Sequence, residues 1–234
     1  MTEAQVVVTG SSRGIGASIA ACLGARGIPV VGLSRSGECP VGRAVACDVT
    51  DEGAMRAVLG EIAAEGPIGG LVNNAGIHLS APSHELSVEL YEEVMRVNGT
   101  SVMVACREAY PHLVAAGGGL IVNIGSFFDK VGVPRQLAYS ASKAALGAMT
   151  RVLAVEWARD GISVLNVAPG YVKTDFSSFW QRPDSLKWID KRIPLGRGGD
   201  PDEVGRLVAL LYAEKIAFLT GETLYIDGAH GINH

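Results

Sequence analysis

The feature that most constrains this chain is an apolar run, Gln5 to Thr9, that breaks directly into Gly10-Ser11-Ser12-Arg13-Gly14-Ile15-Gly16 and then into a helix-forming segment. A strand turning through closely spaced glycines into a helix begins a βα unit, and parallel strands need a crossover of this kind. The alternation continues down the chain. Short apolar runs bounded by glycine or asparagine predict strands at Gln5 to Thr9, Pro29 to Ser34, Ala44 to Cys47, Gly70 to Asn73, Gly119 to Ile124, Ser163 to Ala168 and Thr223 to Ile226. Helical periodicity predicts helices over Ala17 to Arg26, Glu52 to Ala64, Val88 to Ala115, Tyr139 to Ala158 and Pro201 to Leu211, the last with Asp200-Pro201 as cap and first-turn proline. The expected class is α/β: a doubly wound parallel sheet of about seven strands flanked by helices. With 234 residues, 48% of them hydrophobic, the chain suits one core and is small for two, so residues 1–234 read as a single domain.

Two stretches break the alternation. Arg35 to Arg43 is too short and too rich in glycine and proline for a helix, so the crossover there is abbreviated. Lys173 to Arg197 carries Phe176, Phe179, Trp180 and Trp188 among polar residues, and reads as a lid near 173–197.

Charge and composition narrow the function. A net charge of -4 and a pI near 5.7 give no basic footprint for a phosphate backbone, so nucleic acid is not an expected partner. No apolar run is long enough to span a bilayer, and the first residues lack a secretory pattern, so a cytoplasmic protein is expected. Cys22, Cys39, Cys47 and Cys106 have no CxxC spacing and read as reduced, buried thiols. His230 and His234 are four apart but in a glycine-containing tail without a third ligand, so no metal is expected. A small-molecule substrate is favoured.

The glycine turn is built for an anion. Gly10 can adopt backbone angles closed to other residues, Gly14 lets the main chain approach a pyrophosphate, and Gly16 lets the helix pack closely on the strand. Free N–H groups of the helix start, around Ser12 to Gly16, would face the phosphate. A turn of this composition that binds nothing is the plain alternative.

The spacing GxxxGxG resembles the short-chain dehydrogenase/reductase superfamily, whose signature is TGxxxGxG. Further stretches fit in order: Asp48; Asn73-Asn74-Ala75-Gly76; Ser126 with Tyr139-Ser140-Ala141-Ser142-Lys143; Pro169-Gly170 with Thr174; and finally Thr220-Gly221 and Asp227-Gly228. The resemblance implies a Rossmann-type fold and nicotinamide-dependent oxidoreduction, with the 3-oxoacyl-(acyl carrier protein) reductases as similar enzymes. It further implies that Asp48 and Val49 meet the adenine, that Asn74, Ala75 and Gly76 line the adenosine ribose, and that Pro169, Gly170, Val172 and Thr174 hold the carboxamide. A homotetramer or dimer packed through the helices Val88 to Ala115 and Tyr139 to Ala158 is also implied.

NADP(H) is expected over NAD(H). The second strand ends in Ser34-Arg35, without the carboxylate that would accept from a ribose 2′-hydroxyl. Arg13, Arg35 and the Ser34 hydroxyl suit a 2′-phosphate instead, because guanidinium matches its oxygens in a planar fork.

The chemistry is carried by four residues. Lys143 follows Tyr139 by four positions, so both project from one helix face, and an ammonium there would lower the phenol pKa and let Tyr139 act as acid or base. Ser126 ends a central strand and would orient the substrate oxygen; without a histidine relay or GxSxG turn it is not a nucleophile. By resemblance Asn98 supports a water leading to the lysine, while a local bend at Asn98-Gly99 is the alternative. The leading expectation is therefore an NADP(H)-dependent reductase of a ketone. An NAD(H)-dependent sugar, polyol or secondary-alcohol dehydrogenase is the enzymatic rival, and a non-catalytic dinucleotide sensor the third reading. Phe128, Gln136, Tyr171, Phe179 and Trp180 suggest a largely aromatic substrate pocket, although aromatic residues here also suit core or oligomer contacts.

Overall fold

The computed structural model describes residues 4–176 and 178–233, so Met1 to Glu3, Ser177 and His234 lie outside the described residues. Seven strands are formed: β1 (Gln5–Thr9), β2 (Val30–Ser34), β3 (Arg43–Ala46), β4 (Ile68–Asn73), β5 (Gly119–Ile124), β6 (Ile162–Pro169) and β7 (Thr223–Ile226). They pair in parallel throughout, in the order β3-β2-β1-β4-β5-β6-β7. The chain starts in the middle and winds outward both ways, which leaves a crevice beyond the carboxyl ends of β1 and β4, where open α/β sheets bind ligands.

Among the described residues there are seven α-helices, most of them packed on the two faces: α1 (Gly14–Gly24), α2 (Glu52–Glu65), α3 (Val88–Met95), α4 (Ser101–Ala115), α5 (Leu137–Trp157), α6 (Ser185–Arg192) and α7 (Pro201–Glu214). Side chains alternate across each strand, so β1 sends Val7 into the core beneath α2 and α4 and sends Val6 and Val8 into the core beneath α1 and α7. Both faces are buried, which is why the strands read as continuous apolar runs. On the second face the Tyr212 hydroxyl lies 3.0 Å from the carbonyls of both Leu71 and Leu120, in space that any side chain at Gly70 would occupy.

The predicted helix Val88 to Ala115 is interrupted. Arg96–Thr100 forms a π turn in which the Ser101 N–H reaches back to the Arg96 carbonyl. The extra residue turns Asn98 and Gly99 into the interior. The segment 173–197 contains a 3-10 turn at Ser178–Gln181 and the two-turn helix α6, with Ser177 outside the described residues.

The abbreviated crossover after β2 holds. Residues 35–42 contain no helix; instead Cys39 packs over Gly32 and Val41 over Gly24, each filling room that a glycine leaves open. All four cysteines are free, but only Cys47 and Cys106 are buried, because Cys22 and Cys39 lie beside this thin crossover.

Candidate active site

The first loop folds around Thr9. Its Oγ1 accepts from the N–H groups of Asn74 and Ala75, at 3.0 and 3.1 Å, and so ties the end of β1 to the end of β4. Asn74 returns the contact, its Nδ2 donating to the carbonyls of Thr9 and Gly10 at 3.0 Å each. Gly10 has φ +66, a left-handed conformation that favours glycine. Gly16 serves close packing: a Cβ there would lie 2.2 Å from the Gly10 carbonyl oxygen and 2.4 Å from Asn74 Nδ2. Gly14 faces a cleft, since a Cβ there would meet only the Thr174 side chain, its methyl at 3.5 Å. Helix α1 therefore begins at the cavity with no acid in its first turn and its leading N–H groups unpaired within the helix. This cradle, flanked by Arg13, has the donors and the room that a dinucleotide pyrophosphate requires.

A cavity of about 770 Å³ runs from this cradle across the carboxyl ends of β4, β5 and β6. It gathers Arg13, Gly14, Ile15, Asn74, Ala75 and Gly76 at one end and Ser126, Tyr139, Lys143, Pro169, Gly170, Val172 and Thr174 further along. Phe128, Gln136, Tyr171, Phe179 and Trp180 all line it as well, so the five residues expected in a substrate pocket do converge. Gly10 and Gly16 lie behind the lining. Ser12, Ser34, Arg35, Asp48 and Val49 are not among its lining residues, with Ser34 buried and Arg35 exposed at the edge where the short crossover begins.

At that edge Ser34 departs from expectation. Its Oγ donates to the Glu38 carbonyl at 3.0 Å and accepts from the Glu38 N–H at 2.9 Å, so its one proton is committed within the loop. Ser11 Oγ donates to the same carbonyl at 3.2 Å. The hydroxyl that suited a 2′-phosphate instead folds the crossover. The loop also carries a carboxylate, Glu38, which accepts from Ser36 Oγ at 3.2 Å. Arg35 is exposed, and with Arg96 it helps hold the Asp48 carboxyl low, after the hydrogen bonds from Thr50 that dominate.

At the other end Tyr139 is buried, and burial pushes its phenol up to about 12, with the Ser126 hydroxyl beside it acting in the opposite direction. Lys143 is buried too, and burial brings its ammonium down to about 8. Its Nζ donates to the Ile124 carbonyl at 2.7 Å and stands 5.7 Å from the Tyr139 ring centre. Lys143 is anchored on β5 in this arrangement, and burial is the larger influence on the Tyr139 phenol. Ser126 Oγ accepts from the Phe128 N–H at 3.3 Å.

Asn98 is committed to bracing. Its Oδ1 accepts from the Ile77 N–H at 2.8 Å, and its Nδ2 donates to the Ile77 carbonyl at 2.9 Å and to Ser142 Oγ at 3.2 Å. Ser142 in turn donates to the Tyr139 carbonyl at 2.7 Å, so the π turn grips both the loop after β4 and the start of α5.

Two features add to the sequence reading. Asn73, Asn123 and Asn166 stand side by side on β4, β5 and β6. Asn73 Nδ2 donates to Asn123 Oδ1 at 2.8 Å, and Asn123 Nδ2 donates to Thr150 Oγ1 on α5 at 2.9 Å. The ladder fixes α5 against the strand ends, and one asparagine within each of these apolar runs was its only sequence signal. The second is His78, whose ring packs edge-on against Tyr139 with centres 4.8 Å apart. Over this region the segment 173–197 is fastened by Trp180, whose Nε1 donates to the Val172 carbonyl at 2.8 Å. Tyr171, Phe179, Trp188 and His230 form a contiguous group of rings beneath it. Among the described residues no group of three potential metal ligands occurs, and no helix is long and apolar enough to cross a membrane.

Residues 10–230 match the family described as Enoyl-(Acyl carrier protein) reductase. The chain is 36% identical to 3beta-hydroxysteroid dehydrogenase 1 of Eggerthella lenta, covering 95% of this chain and 92% of that protein. It is 35% identical to the 3-oxoacyl-[acyl-carrier-protein] reductase of Vibrio cholerae, covering 95% of both. A crystal structure of a gluconate 5-dehydrogenase from Burkholderia cenocepacia in complex with NADP and tartrate superimposes with a TM-score of 0.93 at 30% identity, covering 100% of this chain and 97% of that one. The chain belongs to the short-chain dehydrogenase/reductase family. It is accordingly an oxidoreductase of the kind that uses a nicotinamide dinucleotide.

Proposed function

We propose that the chain is an NADP(H)-dependent reductase or dehydrogenase that interconverts a ketone and a secondary alcohol, with Tyr139 as general acid/base. The observation that carries this reading is the convergence of Ser126, Tyr139 and Lys143 on one cavity whose far end is the glycine cradle. The bound dinucleotide would supply or accept the hydride. Tyr139, a phenol at neutral pH with its pKa near 12, gives its proton to the carbonyl oxygen during reduction. Ser126 hydrogen-bonds that oxygen and holds it in reach of Tyr139. Lys143 places a positive charge on the same wall and favours the phenolate that remains. Asn98 secures the loop and helix that present these groups and, as in the family, supports the path by which the proton is replaced.

The cradle Gly10 to Gly16 with Ser12, Arg13 and Ile15 holds the phosphates. Asp48, Val49, Asn74, Ala75 and Gly76 receive the adenosine half, and Pro169, Gly170, Val172 and Thr174 the carboxamide. Preference for NADP(H) is supported by Arg13 and Arg35, neither of which is held in a salt bridge among the described residues. A second reading, an NAD(H)-dependent sugar, polyol or secondary-alcohol dehydrogenase, is favoured by the committed Ser34 hydroxyl and the Glu38 carboxylate in the same loop.

The segment near 173–197 serves as a lid that excludes water. A homodimer or tetramer through α4 and α5 is supported by the exposed Met103, Val114, Val152 and Val155 on those helices. A cytoplasmic setting is supported by the four free thiols. The reading is tested by following nicotinamide absorbance with a panel of ketones and alcohols and both cofactors. Cofactor-dependent turnover faster with NADPH supports it, and inactivity throughout the panel contradicts it.

A further inference from the structure

The cavity carries more positive charge than the proposed hydride chemistry uses. Among the described residues its charged walls are Arg13, Lys143, Lys173 and Arg182 against the carboxylate of Asp175. Arg13 flanks the phosphate cradle, and Lys143 belongs to the wall of Tyr139. Lys173 and Asp175 are both exposed and stand two residues apart, so one offsets the other. Arg182 is left without a counter-charge, since no salt bridge holds it among the described residues.

The backbone sets Arg182 at the far end of an aromatic wall. Its N–H donates to the Phe179 carbonyl at 3.2 Å and its carbonyl accepts from the Ser185 N–H at 3.1 Å, which fixes it between the 3-10 turn and α6. The guanidinium carbon stands 6.0 Å from the Phe179 ring centre. Phe179 packs on Tyr171 at 4.7 Å between ring centres, Tyr171 on Phe128 at 6.0 Å, and Phe128 on Tyr139 at 5.8 Å. Three rings therefore lie between the proton-donating phenol and the guanidinium. Tyr171 adds a donor beside the charge, since Arg182 and Arg192 act on its hydroxyl against the burial that raises its pKa.

This order of groups describes a ligand. A carbonyl at one end meets Tyr139 and Ser126, an apolar body lies along the rings, and an anion at the other end meets Arg182. A carboxylate suits that end, because a guanidinium takes its two oxygens in parallel. A neutral polyol would instead set its hydroxyls against ring faces that do not replace their hydrogen bonds to water.

We propose that Arg182 binds a carboxylate of the substrate remote from the reacting carbon, so that this chain acts on oxo acids and the corresponding hydroxy acids with an apolar body between the two functions. The inference rests on the reading of Tyr139 given above and names the substrate class for that same site. Arg182 is a specificity-determining residue.

The test compares matched substrates on the full-length protein: 4-acetylbenzoate against its methyl ester, and 5-oxohexanoate against its methyl ester. The ester group leaves each ketone at least as reactive as the free acid does, so a preference for the acid reports recognition of the charge. The wild type is expected to favour each acid roughly tenfold or more in kcat/KM, as for one charge-assisted contact. Arg182→Gln should lower the acid-to-ester ratio by about the same factor, through KM rather than kcat, because the carboxylate is held alike before and during reaction. Arg182→Glu should lower it further, while Arg182→Lys, which keeps the charge without the planar fork, should retain part of it. Arg182 is exposed, so these exchanges leave the core undisturbed. A wild-type ratio of one or below, a ratio unchanged in Arg182→Gln, or an equal loss in Lys173→Gln overturns the inference and leaves the hydride chemistry standing. Absence of turnover with every ketone and alcohol, with both cofactors, overturns the functional reading as well.

Discussion

The Lys143 ammonium stands 5.7 Å from the centre of the Tyr139 ring and gives its hydrogen bond to the Ile124 carbonyl at 2.7 Å. The two groups share a wall of the cavity without an ion pair between them, and burial governs both: the phenol rises to about 12 and the ammonium falls to about 8. The phenol is therefore the resting form of Tyr139, suited to donating a proton. Removing one toward the alcohol side depends on charge that arrives with the substrates.

The depressed Lys143 pKa makes a stability prediction. The native state holds fewer protons than the unfolded chain between about pH 8 and the ordinary lysine value of 10.5. Lys143 thus imposes a destabilisation that is fully present below pH 8 and fades as pH rises toward 10.5, on the order of 3 kcal/mol by linkage. Lys143→Met should be at least as stable as the wild type in urea at pH 7, with its relative advantage shrinking by pH 10, and should lose turnover by roughly a thousandfold. A variant that is less stable at pH 7 by several kcal/mol would show that the buried ammonium stabilises the fold.

The proposed preference for NADP(H) depends on charge beside the short crossover, where Arg35 is exposed and Ser34 is committed to its own loop. Arg35→Ala should weaken NADPH binding roughly tenfold, as expected for one charge-assisted contact to phosphate, and weaken NADH much less. Equal loss of both cofactors, measured by fluorescence titration, would remove Arg35 from the phosphate site.

Gly16 and Gly60 separate packing from propensity. A Cβ at Gly16 would meet the Gly10 carbonyl at 2.2 Å, whereas one at Gly60 on α2 meets nothing within 4 Å. Gly16→Ala should lower stability by about 1–3 kcal/mol and weaken both cofactors, because the cradle is pushed off the strand. Gly60→Ala should raise stability by about 0.5–1 kcal/mol. Thermal or denaturant unfolding of both variants decides, and a Gly16→Ala protein as stable as the wild type would contradict the close-approach argument.

Sequence reading reached what is local and periodic. The bounds of β1, β5 and β7 follow the apolar runs Gln5 to Thr9, Gly119 to Ile124 and Thr223 to Ile226, since those runs end at glycine or polar residues. The absence of a helix after Arg35 followed from glycine and proline content alone. The family motifs brought Ser126, Tyr139 and Lys143 forward, and the sheet gathers them at one crevice. What stayed hidden depends on partners far away in the chain. Lys143 bonds a carbonyl 19 residues back, and Asn98 bonds Ile77 across 21. No periodicity reports such contacts, so the anchored ammonium and the packing of the His78 ring on Tyr139 emerged only from the fold. A local bend at Asn98-Gly99 was open from the sequence, but its form as a π turn was masked because Arg96 to Thr100 lies within a pattern that reads as one long helix. Helix α6 was masked because its eight residues, Ser185–Arg192, are few and mostly polar, too short a stretch for a helical pattern to stand out.

The central claim is that Tyr139 transfers the proton. Tyr139→Phe removes one oxygen and keeps the ring that packs against His78 and Phe128. Its turnover with the best ketone and NADPH, measured beside its NADPH affinity, is the most direct test. The expected result is a kcat lower by roughly a hundredfold to ten-thousandfold with NADPH affinity essentially retained. Undiminished turnover with intact cofactor binding would contradict the assignment.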